Sequence, residues 1–413
     1  MQYGLIGEHL PHSFSKIIHE DIGLYEYELH EVAKEDIDSF MKQKDFKAIN
    51  VTIPYKQTVI PYLDEISERA EAIGAVNTIV NREGKLFGDN TDFGGMLSLI
   101  DKMGLELSGK KVLILGTGGT SRTAFAVAKS MDAKEIHKVS RVAKEGSISY
   151  EEMYEKHADA DIIINTTPCG MFPDTYKRPV DLERFSNIEG VVDAIYNPLS
   201  SMLVQQAKEL GAKAQGGLYM LVAQAVLAAE IFTDQILEED LIDKIYGRLL
   251  ARKRNIVLIG LPSSGKTTAG KRLAEITGRK LIDSDDVIIE RESVPISEIF
   301  AKRGEKAFRD IESEVIAEIS KENGVIIATG GGAVLRKENV EALKTNGIIV
   351  FLDRNPDTLI PTDDRPTFDA KEKIKELYRI RYPIYSAAAD IHFKADCGYE
   401  EAGDAVYRLV NEF

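Results

Sequence analysis

Lys111–Ser121 reads KVLILGTGGTS: a short apolar run, then a glycine-rich turn, then the start of a segment with helical periodicity. A strand buried on both faces is close to continuously apolar, and a strand–glycine loop–helix succession is the setting in which backbone amides and a helix N-terminus hold phosphate. Asn255–Thr268, NIVLIGLPSSGKTT, repeats the succession with a loop of different design. Two such cradles predict two nucleotide sites. At 413 residues the chain also exceeds what one hydrophobic core usually supports, so two or three domains are expected.

Composition narrows the partners. The chain has 52 Lys and Arg against 67 Asp and Glu, a formal net charge of −15, which repels nucleic acid and anionic lipid and favours small molecules. Only two cysteines occur, Cys169 and Cys397, and MQYGLIG enters a strand pattern without a basic leader or apolar signal region, which fits a reducing cytoplasm. The most apolar stretch, Met220–Phe232, contains Gln224 and Glu230 and falls short of the roughly 20 apolar residues of a membrane span; it reads as a core helix.

Outward from the first loop, the residues from Met1 to about Gly95 alternate short strands (YGLIG, YEYELHEV, AINVTI) with helical segments such as Asp64–Ile73, the pattern of an α/β lobe. A second α/β unit starts near Gly109, with strands at Lys111, Ile136, Ile162 and Val191 separated by helices or loops, as a parallel sheet requires. Glu238–Arg254 is charged and helical, and the domain boundary is placed between Gly247 and Arg254, with no Gly/Ser- or Pro-rich linker and therefore a short tether.

In the first loop, Gly116 permits the tight turn and Gly118 lets the backbone approach a pyrophosphate, while Ser121 stands where a third glycine is usual. An NAD site needs an acid near the end of the next strand; EIHKVSR instead delivers Ser140 and Arg141, with Lys144 slightly later, which favours a 2′-phosphate and hence NADP. Ser13 and Ser15 in HSFSK share one face if that segment is extended, a spacing suited to gripping a carboxylate. NVTIPYK places Lys56 past a proline-interrupted strand end, AVNT supplies Asn77, and GDNTDFGG puts Asp92 in a glycine-flanked turn. A lysine and a carboxylate converging on one cleft form a proton-transfer pair.

The ordered set HSFSK, NVTIPYK, AVNT, GDNTD, GTGGTS, INTTPCGM, DAIYNP and GLYMLVAQA resembles shikimate dehydrogenase over residues 1 to about 250. The resemblance implies hydride transfer from NADPH to the C5 ketone of 3-dehydroshikimate, with Lys56 delivering the proton and Asp92 paired to it. It further implies that Ser13, Ser15, Thr52, Asn77, Asp92, Tyr196 and Gln224 bind substrate. Gly116, Thr117, Gly118, Gly119, Thr120, Ser121, Arg141, Lys144 and Gly217 would line the cofactor, with Thr166 and the PCGM turn passing near its nicotinamide half, and Cys169 only a wall residue. Lys16, Glu20 and the SRV of Ser140–Val142 depart from that family's pattern.

The second loop, GLPSSGKTT, meets the spacing in which loop amides wrap phosphates, Lys266 reaches the β and γ phosphates and Thr267 ligates magnesium. DSDD at Asp283–Asp286, FRDIE with Arg309 and Glu312, TGGGAV with its three glycines, and YRIRYPIY with Arg381 point to an acidic, sugar-like acceptor, since guanidinium pairs bidentately with carboxylate. Together these segments resemble shikimate kinase over residues 255–413. The resemblance implies ATP bound by Ser263, Ser264, Gly265, Lys266, Thr267 and Thr268, Mg2+ at Thr267 and Asp283, and shikimate at Asp285, Arg309, Gly331, Gly332 and Arg381. In LIPTDDRPTF, Pro361 and Thr362 replace the usual lid arginine, leaving Arg365 as the lid candidate.

The fold expected is α/β throughout: a two-lobed α/β dehydrogenase with a Rossmann-type NADP domain, followed by a P-loop α/β kinase domain. Residues 1–250 form the first, with a substrate lobe at 1–100 plus 217–245 and an NADP lobe at 105–215; residues 254–413 form the second. The function expected is a bifunctional enzyme that reduces 3-dehydroshikimate to shikimate and phosphorylates it to shikimate 3-phosphate, with small-molecule partners only and no nucleic acid or membrane. The alternative is an active dehydrogenase with a C-terminal ATP-binding regulatory module of impaired kinase activity. A preference for quinate and NAD is disfavoured by Arg141 and Lys144. No sequence feature fixes an oligomeric state.

Overall fold

A computed structural model gives the architecture and describes residues 1–10, 14–143, 145–359 and 368–412. The chain divides into two compact units, Met1–Leu249 and Leu250–Phe413. The division falls inside the helix Leu241–Lys253.

The first unit holds two six-stranded sheets. One contains β1 (Tyr3–Gly7), β2 (Glu28–Glu31), β3 (Ala48–Val51), β4 (Glu65–Ile66), β5 (Thr78–Arg82) and β6 (Lys85–Asp89), in the order β2-β1-β3-β5-β6-β4. It is mixed, because β5 runs antiparallel to both β3 and β6. Glu83 and Gly84, with φ of 53° and 88°, form the tight turn between β5 and β6, the left-handed pair that a two-residue hairpin loop uses. The segment Asp64–Ile73, expected to be helical throughout, is split: Glu65 and Ile66 pair with β6, and the helix starts only at Glu68. Ser67 decides the start, because its side chain accepts from the amide of Ala70 and stands as a satisfied N-cap.

The second sheet comprises β7 (Lys111–Leu115), β8 (Glu135–Ser140), β9 (Ile148–Ser149), β10 (Ile162–Asn165), β11 (Gly190–Asp193) and β12 (Lys213–Gln215). Its order is β12-β11-β10-β7-β8-β9, and every pair is parallel. The apolar runs of β7, β10 and β11 are buried along nearly their whole length, as strands covered on both faces must be. The strand order reverses between β7 and β10, so a crevice opens at their carboxyl ends, where α/β sheets bind ligands.

The helix Leu218–Thr233 serves both sheets. It packs along the helix Thr91–Lys102, and its Ala228 and Phe232 join Leu5, Leu10 and Ala48 in the core beneath the first sheet. It is the core helix expected of Met220–Phe232.

The second unit carries one parallel sheet, β13 (Asn255–Ile259), β14 (Leu281–Asp283), β15 (Ile326–Ala328), β16 (Gly347–Asp353) and β17 (Ile391–Lys394), ordered β14-β15-β13-β16-β17. The long helix Ile296–Ile319 is broken at Gly304, whose φ of 79° and ψ of 170° are non-helical. Only glycine takes that conformation without strain, and the break re-aims the half that bears Arg309 and Glu312.

A buried carboxylate ties the end of β11 to its surroundings. Asp193 accepts from Ser201 Oγ at 2.5 Å, Asn165 Nδ2 at 2.9 Å and the Ile195 amide at 3.0 Å. Full burial pushes its carboxyl up to about 6 despite these donors. Ser201 also caps the helix Met202–Glu209. Ser201→Ala should therefore destabilise the protein by about 1–3 kcal/mol, read as a lower urea midpoint at unchanged slope.

Candidate active sites

Lys56 reaches from the turn after β3 and its Nζ donates to Asp92 Oδ2. Asp92 does not sit in a glycine-flanked turn, as the sequence suggested; it lies in the first turn of the helix Thr91–Lys102, whose N-cap Asn90 accepts from the amide of Phe93. The neighbouring glycines have a packing reason instead. A Cβ on Gly94 would meet the side chain of Leu227 at 2.5 Å, and one on Gly95 the carbonyl of Met220 at 2.7 Å, so they let two helices approach closely.

The other oxygen of Asp92 accepts from Asn77 Nδ2 at 3.0 Å. Asn77 reaches Gln224 Oε1 at 3.5 Å and accepts the Thr91 amide at 2.7 Å, while Gln224 Nε2 donates to Leu221 O. Four residues separated by up to 168 positions in sequence, Lys56, Asn77, Asp92 and Gln224, thus form one network, with the last three buried. Ser15 is buried at the start of the helix Ser15–Ile22, and Phe14 before it has αR backbone (φ −85°, ψ −4°), so the extended geometry expected of HSFSK is not found there. Phe14 packs on the ring of Tyr196 at 5.3 Å, which brings the Ser15 segment beside DAIYNP, and burial pushes the Tyr196 hydroxyl up. Thr52 is half-buried just after β3, against Gly7. Ser13 lies outside the described residues.

The dinucleotide loop follows β7. Gly116 has φ of 111°, and a Cβ there would sit 2.7 Å from Thr166 Oγ1, the residue that leaves β10 across the crevice and donates to Leu115 O. Ser121, in place of a third glycine, is buried and donates to Gly116 O at 2.7 Å, closing the loop on itself. Gly118 faces open space and heads the helix Gly119–Ser130 without a side-chain cap, which leaves its amides directed at the crevice. Thr117 is exposed and Thr120 half-buried on this loop. A Cβ on Gly119 would lie 4.0 Å from Lys56 Cδ, so the loop runs beside the lysine. Arg141 is exposed at the end of β8, and Lys144 lies outside the described residues. Gly217 presses on backbone: a Cβ there would collide with the carbonyl of Ala194. Cys169 is half-buried, and burial raises its thiol, which removes it from nucleophilic use.

The second site gathers at the carboxyl ends of β13, β14 and β15. Gly260 (φ 148°) and Gly265 (φ 92°) shape the loop, Ser264 is buried within it, Ser263 takes the left-handed region at φ 63°, and Thr268 is exposed on the helix Lys266–Thr277. Lys266 is buried and donates to Gly260 O at 3.1 Å and Leu261 O at 2.8 Å. Burial lowers its ammonium to about 8, while Asp285 and Asp283 pull the other way. Thr267 Oγ1 donates to Asp283 Oδ2 at 2.7 Å, an all-oxygen pair suited to a hard divalent cation.

Asp283 Oδ1 caps the next helix through the Asp285 amide. Burial raises the Asp285 carboxyl to about 6, with Asp283 and Glu312 adding to it. Arg309 Nη1 donates to Glu312 Oε2 at 2.6 Å. The glycine turn after β15 fits between these groups: a Cβ on Gly330 would meet Asp285 Oδ1 at 2.7 Å and Glu312 Oε1 at 3.0 Å, and one on Gly332 would collide with the Arg309 guanidinium. Arg381 Nη1 donates to Gly331 O at 2.9 Å, and Tyr385 donates to the same carbonyl. Buried Asp285 Oδ1 and Glu312 Oε1 have no protein partner, so acceptors stand ready at the mouth of this turn. Arg365 lies outside the described residues.

Two residues escaped assignment from sequence. Glu312 was visible one turn from Arg309, but only its burial shows that it orients the guanidinium. Arg354 follows β16, is 9% exposed, donates to Ser264 O at 3.2 Å and stacks over the Tyr399 ring at 4.2 Å. Its only sequence signal was its place after a central strand.

Comparison with known proteins accords with this geometry. Residues 262–410 match the shikimate kinase family, and residues 5–79 match the shikimate dehydrogenase substrate binding domain. The chain is 38% identical over 259 residues to the shikimate dehydrogenase (NADP(+)) of Clostridium beijerinckii, covering 59% of this chain and 96% of that protein. A solved chorismate mutase/shikimate 5-dehydrogenase fusion protein from Clostridium acetobutylicum is 40% identical with a TM-score of 0.57, over 60% of this chain and 96% of that one. Shikimate 5-dehydrogenase from Thermus thermophilus, solved in complex with NADP(H) and shikimate, is 28% identical with a TM-score of 0.55, over 60% and 99%.

The buried ammonium gives a testable pH dependence at the second loop. Below about pH 8 Lys266 is charged before and after a triphosphate binds; above it, binding must also protonate the lysine, because the phosphates raise its pKa. Triphosphate affinity should be flat up to that point and then fall by up to about tenfold per pH unit. Calorimetry in two buffers of different ionisation enthalpy should show proton uptake only on the falling limb.

Proposed function

Because this chain belongs to the shikimate dehydrogenase family and carries a shikimate kinase domain at residues 262–410, it is a bifunctional shikimate-pathway enzyme, and we propose that Lys56 and Lys266 serve its two reactions separately. The first is NADP-dependent reduction of 3-dehydroshikimate to shikimate; the second is ATP-dependent phosphorylation of shikimate to shikimate 3-phosphate. Residues 1–250 perform the first, with the substrate held by 1–100 and 217–245 and NADP by 105–215, and residues 254–413 perform the second.

The observation that carries the first assignment is the Lys56–Asp92 pair standing beside the Gly119 loop. Carbonyl reduction builds negative charge on oxygen, and an ammonium within hydrogen-bond reach both stabilises that charge and transfers the proton. Asp92 pairs with Lys56 and aims it, Asn77 fixes Asp92 and reaches Gln224, so these four, with Ser13, Ser15, Thr52 and Tyr196, define the hydroxyl and carboxylate contacts of the substrate. The uncapped helix at Gly118 fits the pyrophosphate of NADP, whose reduced form supplies the hydride. Gly116, Thr117, Gly118, Gly119, Thr120, Ser121 and Gly217 wall that site, and Arg141 and Lys144 take the 2′-phosphate.

In the second site, Ser263, Ser264, Gly265, Lys266, Thr267 and Thr268 hold the ATP phosphates. The oxygens of Thr267 and Asp283 fit Mg2+, which neutralises phosphate charge when bound. Asp285 accepts the hydrogen of the attacking hydroxyl, while Arg309, Arg381 and the backbone of Gly331 and Gly332 hold the acid, and Arg365 belongs to the lid. The convergence of Lys266, Thr267, Asp283, Asp285 and Arg309 speaks against a purely regulatory ATP module. Small-molecule partners and a cytoplasmic setting complete the reading, supported by the net charge of −15 and two half-buried unpaired cysteines; no helix among the described residues is long and apolar enough to cross a membrane.

Lys56→Met should lower dehydrogenase kcat about 10²–10⁴-fold with kinase turnover intact, and Lys266→Ala should do the reverse. Parallel NADPH-oxidation and coupled ADP-release assays on each variant check the separation; equal loss of both activities in either variant contradicts it. Because burial raises Asp285 to about 6, kinase kcat/KM should rise with pH through that region and level off, and Asp285→Asn should remove the rising limb along with most of the rate.

A further inference from the structure

Outside both active sites, the amino end of β8 brings a carboxylate and two imidazoles together. Glu135, His137 and His157 each offer one ligand atom, and these atoms lie within 4.8 Å of one another. Glu135 Oε1 is 2.5 Å from His137 Nε2 and 3.7 Å from His157 Nδ1, and the two rings stand 4.0 Å apart, tilted by 40°. His137 projects from β8 two residues beyond Glu135, hence on the same face, and His157 ends the helix Tyr150–Lys156.

The arrangement leaves one group unsatisfied. His157 Nδ1 is buried, with 12% of its side chain exposed, and it has no hydrogen-bond partner. At 3.7 Å it is beyond hydrogen-bond reach of the carboxylate it faces. A buried ring nitrogen without a partner is unfavourable, and a cation that displaced the Glu135–His137 hydrogen bond, spreading that pair to ligand spacing, would give the His157 nitrogen the partner it lacks.

We propose that Glu135, His137 and His157 form a binding site for one transition-metal ion. Two imidazoles and one carboxylate select zinc, cobalt, nickel or copper over magnesium or calcium, which prefer oxygen. Glu135 is 40% exposed, which leaves room for water at a fourth position. Lys111 supports the site from outside: its Nζ is 3.4 Å from Glu135 Oε2, the oxygen turned away from the imidazoles, and 2.8 Å from Asp159 Oδ1, which offsets its charge.

The metal would act structurally. Glu135 and Arg141 stand at opposite ends of β8, about 20 Å apart at the rise of an extended chain, so the ion touches neither cofactor nor substrate. It would clip β8 to the turn after the helix Tyr150–Lys156, and so steady the strand that presents Arg141.

The test is a Co2+ titration of tag-free, chelator-stripped full-length protein, followed by visible absorbance with millimolar Mg2+ present to occupy the oxygen site at Thr267 and Asp283. One equivalent should bind with the d–d band of a low-coordinate nitrogen–oxygen site. His157→Ala and the milder Glu135→Gln should each weaken binding at least tenfold, while dehydrogenase turnover stays within twofold of the unsubstituted enzyme. An unsubstituted protein that takes up no Co2+, or variants that take it up as tightly, would overturn the proposal. Retained turnover shows that the variants are folded, and absence of uptake by the unsubstituted chain decides the matter by itself.

Discussion

Parallel strands end together, and that constraint organises the dinucleotide crevice and the second site. In a parallel sheet all carboxyl ends lie on one edge, so residues just past different strands meet although many positions separate them. Gly116 after β7 and Thr166 after β10 face each other for this reason, and Lys266 after β13, Asp283 at the end of β14 and Gly330 after β15 stand on one edge. The helices that cover each sheet then start at the same edge and direct unpaired amides toward the ligand, which makes the edge anion-binding before any side chain contributes.

Side chains sharpen that edge by two opposite electrostatic strategies. In the first site, Lys56 and Asp92 are paired directly and the amide of Asn77, a neutral donor, fixes the carboxylate. In the kinase site, Lys266 is parked on two carbonyl oxygens with its ammonium weakened by burial, and Asp285 is pushed up by burial and by its carboxylate neighbours. The carboxylates of the second site thus repel one another, and a phosphate–cation complex with a hydroxylated acid relieves that repulsion. A preformed ion pair suits the carbonyl reduction proposed for the first site, whereas a site that becomes electrostatically complete on loading suits phosphoryl transfer.

The glycines show how tightly these surfaces are built. Gly330 and Gly332 are required because carboxylate oxygens and guanidinium nitrogens occupy the space of a side chain, and Gly95 because two helices touch there. The same residue type therefore carries three different messages: conformational freedom at Gly116 and Gly265, close approach at Gly95, and ligand access at Gly118. Sequence pattern alone does not separate them, which is why Asp92 was expected in a turn when it lies on a helix.

What the sequence by itself determined is the part governed by local rules. Continuous apolar runs at Lys111–Leu115 and Asn255–Ile259 determined buried parallel strands, their loops determined phosphate cradles, and the eight ordered segments of the first half carried its kinship. Tertiary structure decided whatever depends on what faces a residue. It split Asp64–Ile73 into strand and helix because Glu65 and Ile66 found β6, and it made Glu312 and Arg354 site-adjacent by burying them against Arg309 and Ser264. It also drew Glu135, His137 and His157 into one cluster that no spacing announces. The physical reason is range: backbone preference and hydrophobic period act over a few residues, whereas desolvation and charge pairing act through space between segments whose meeting only the folded chain defines.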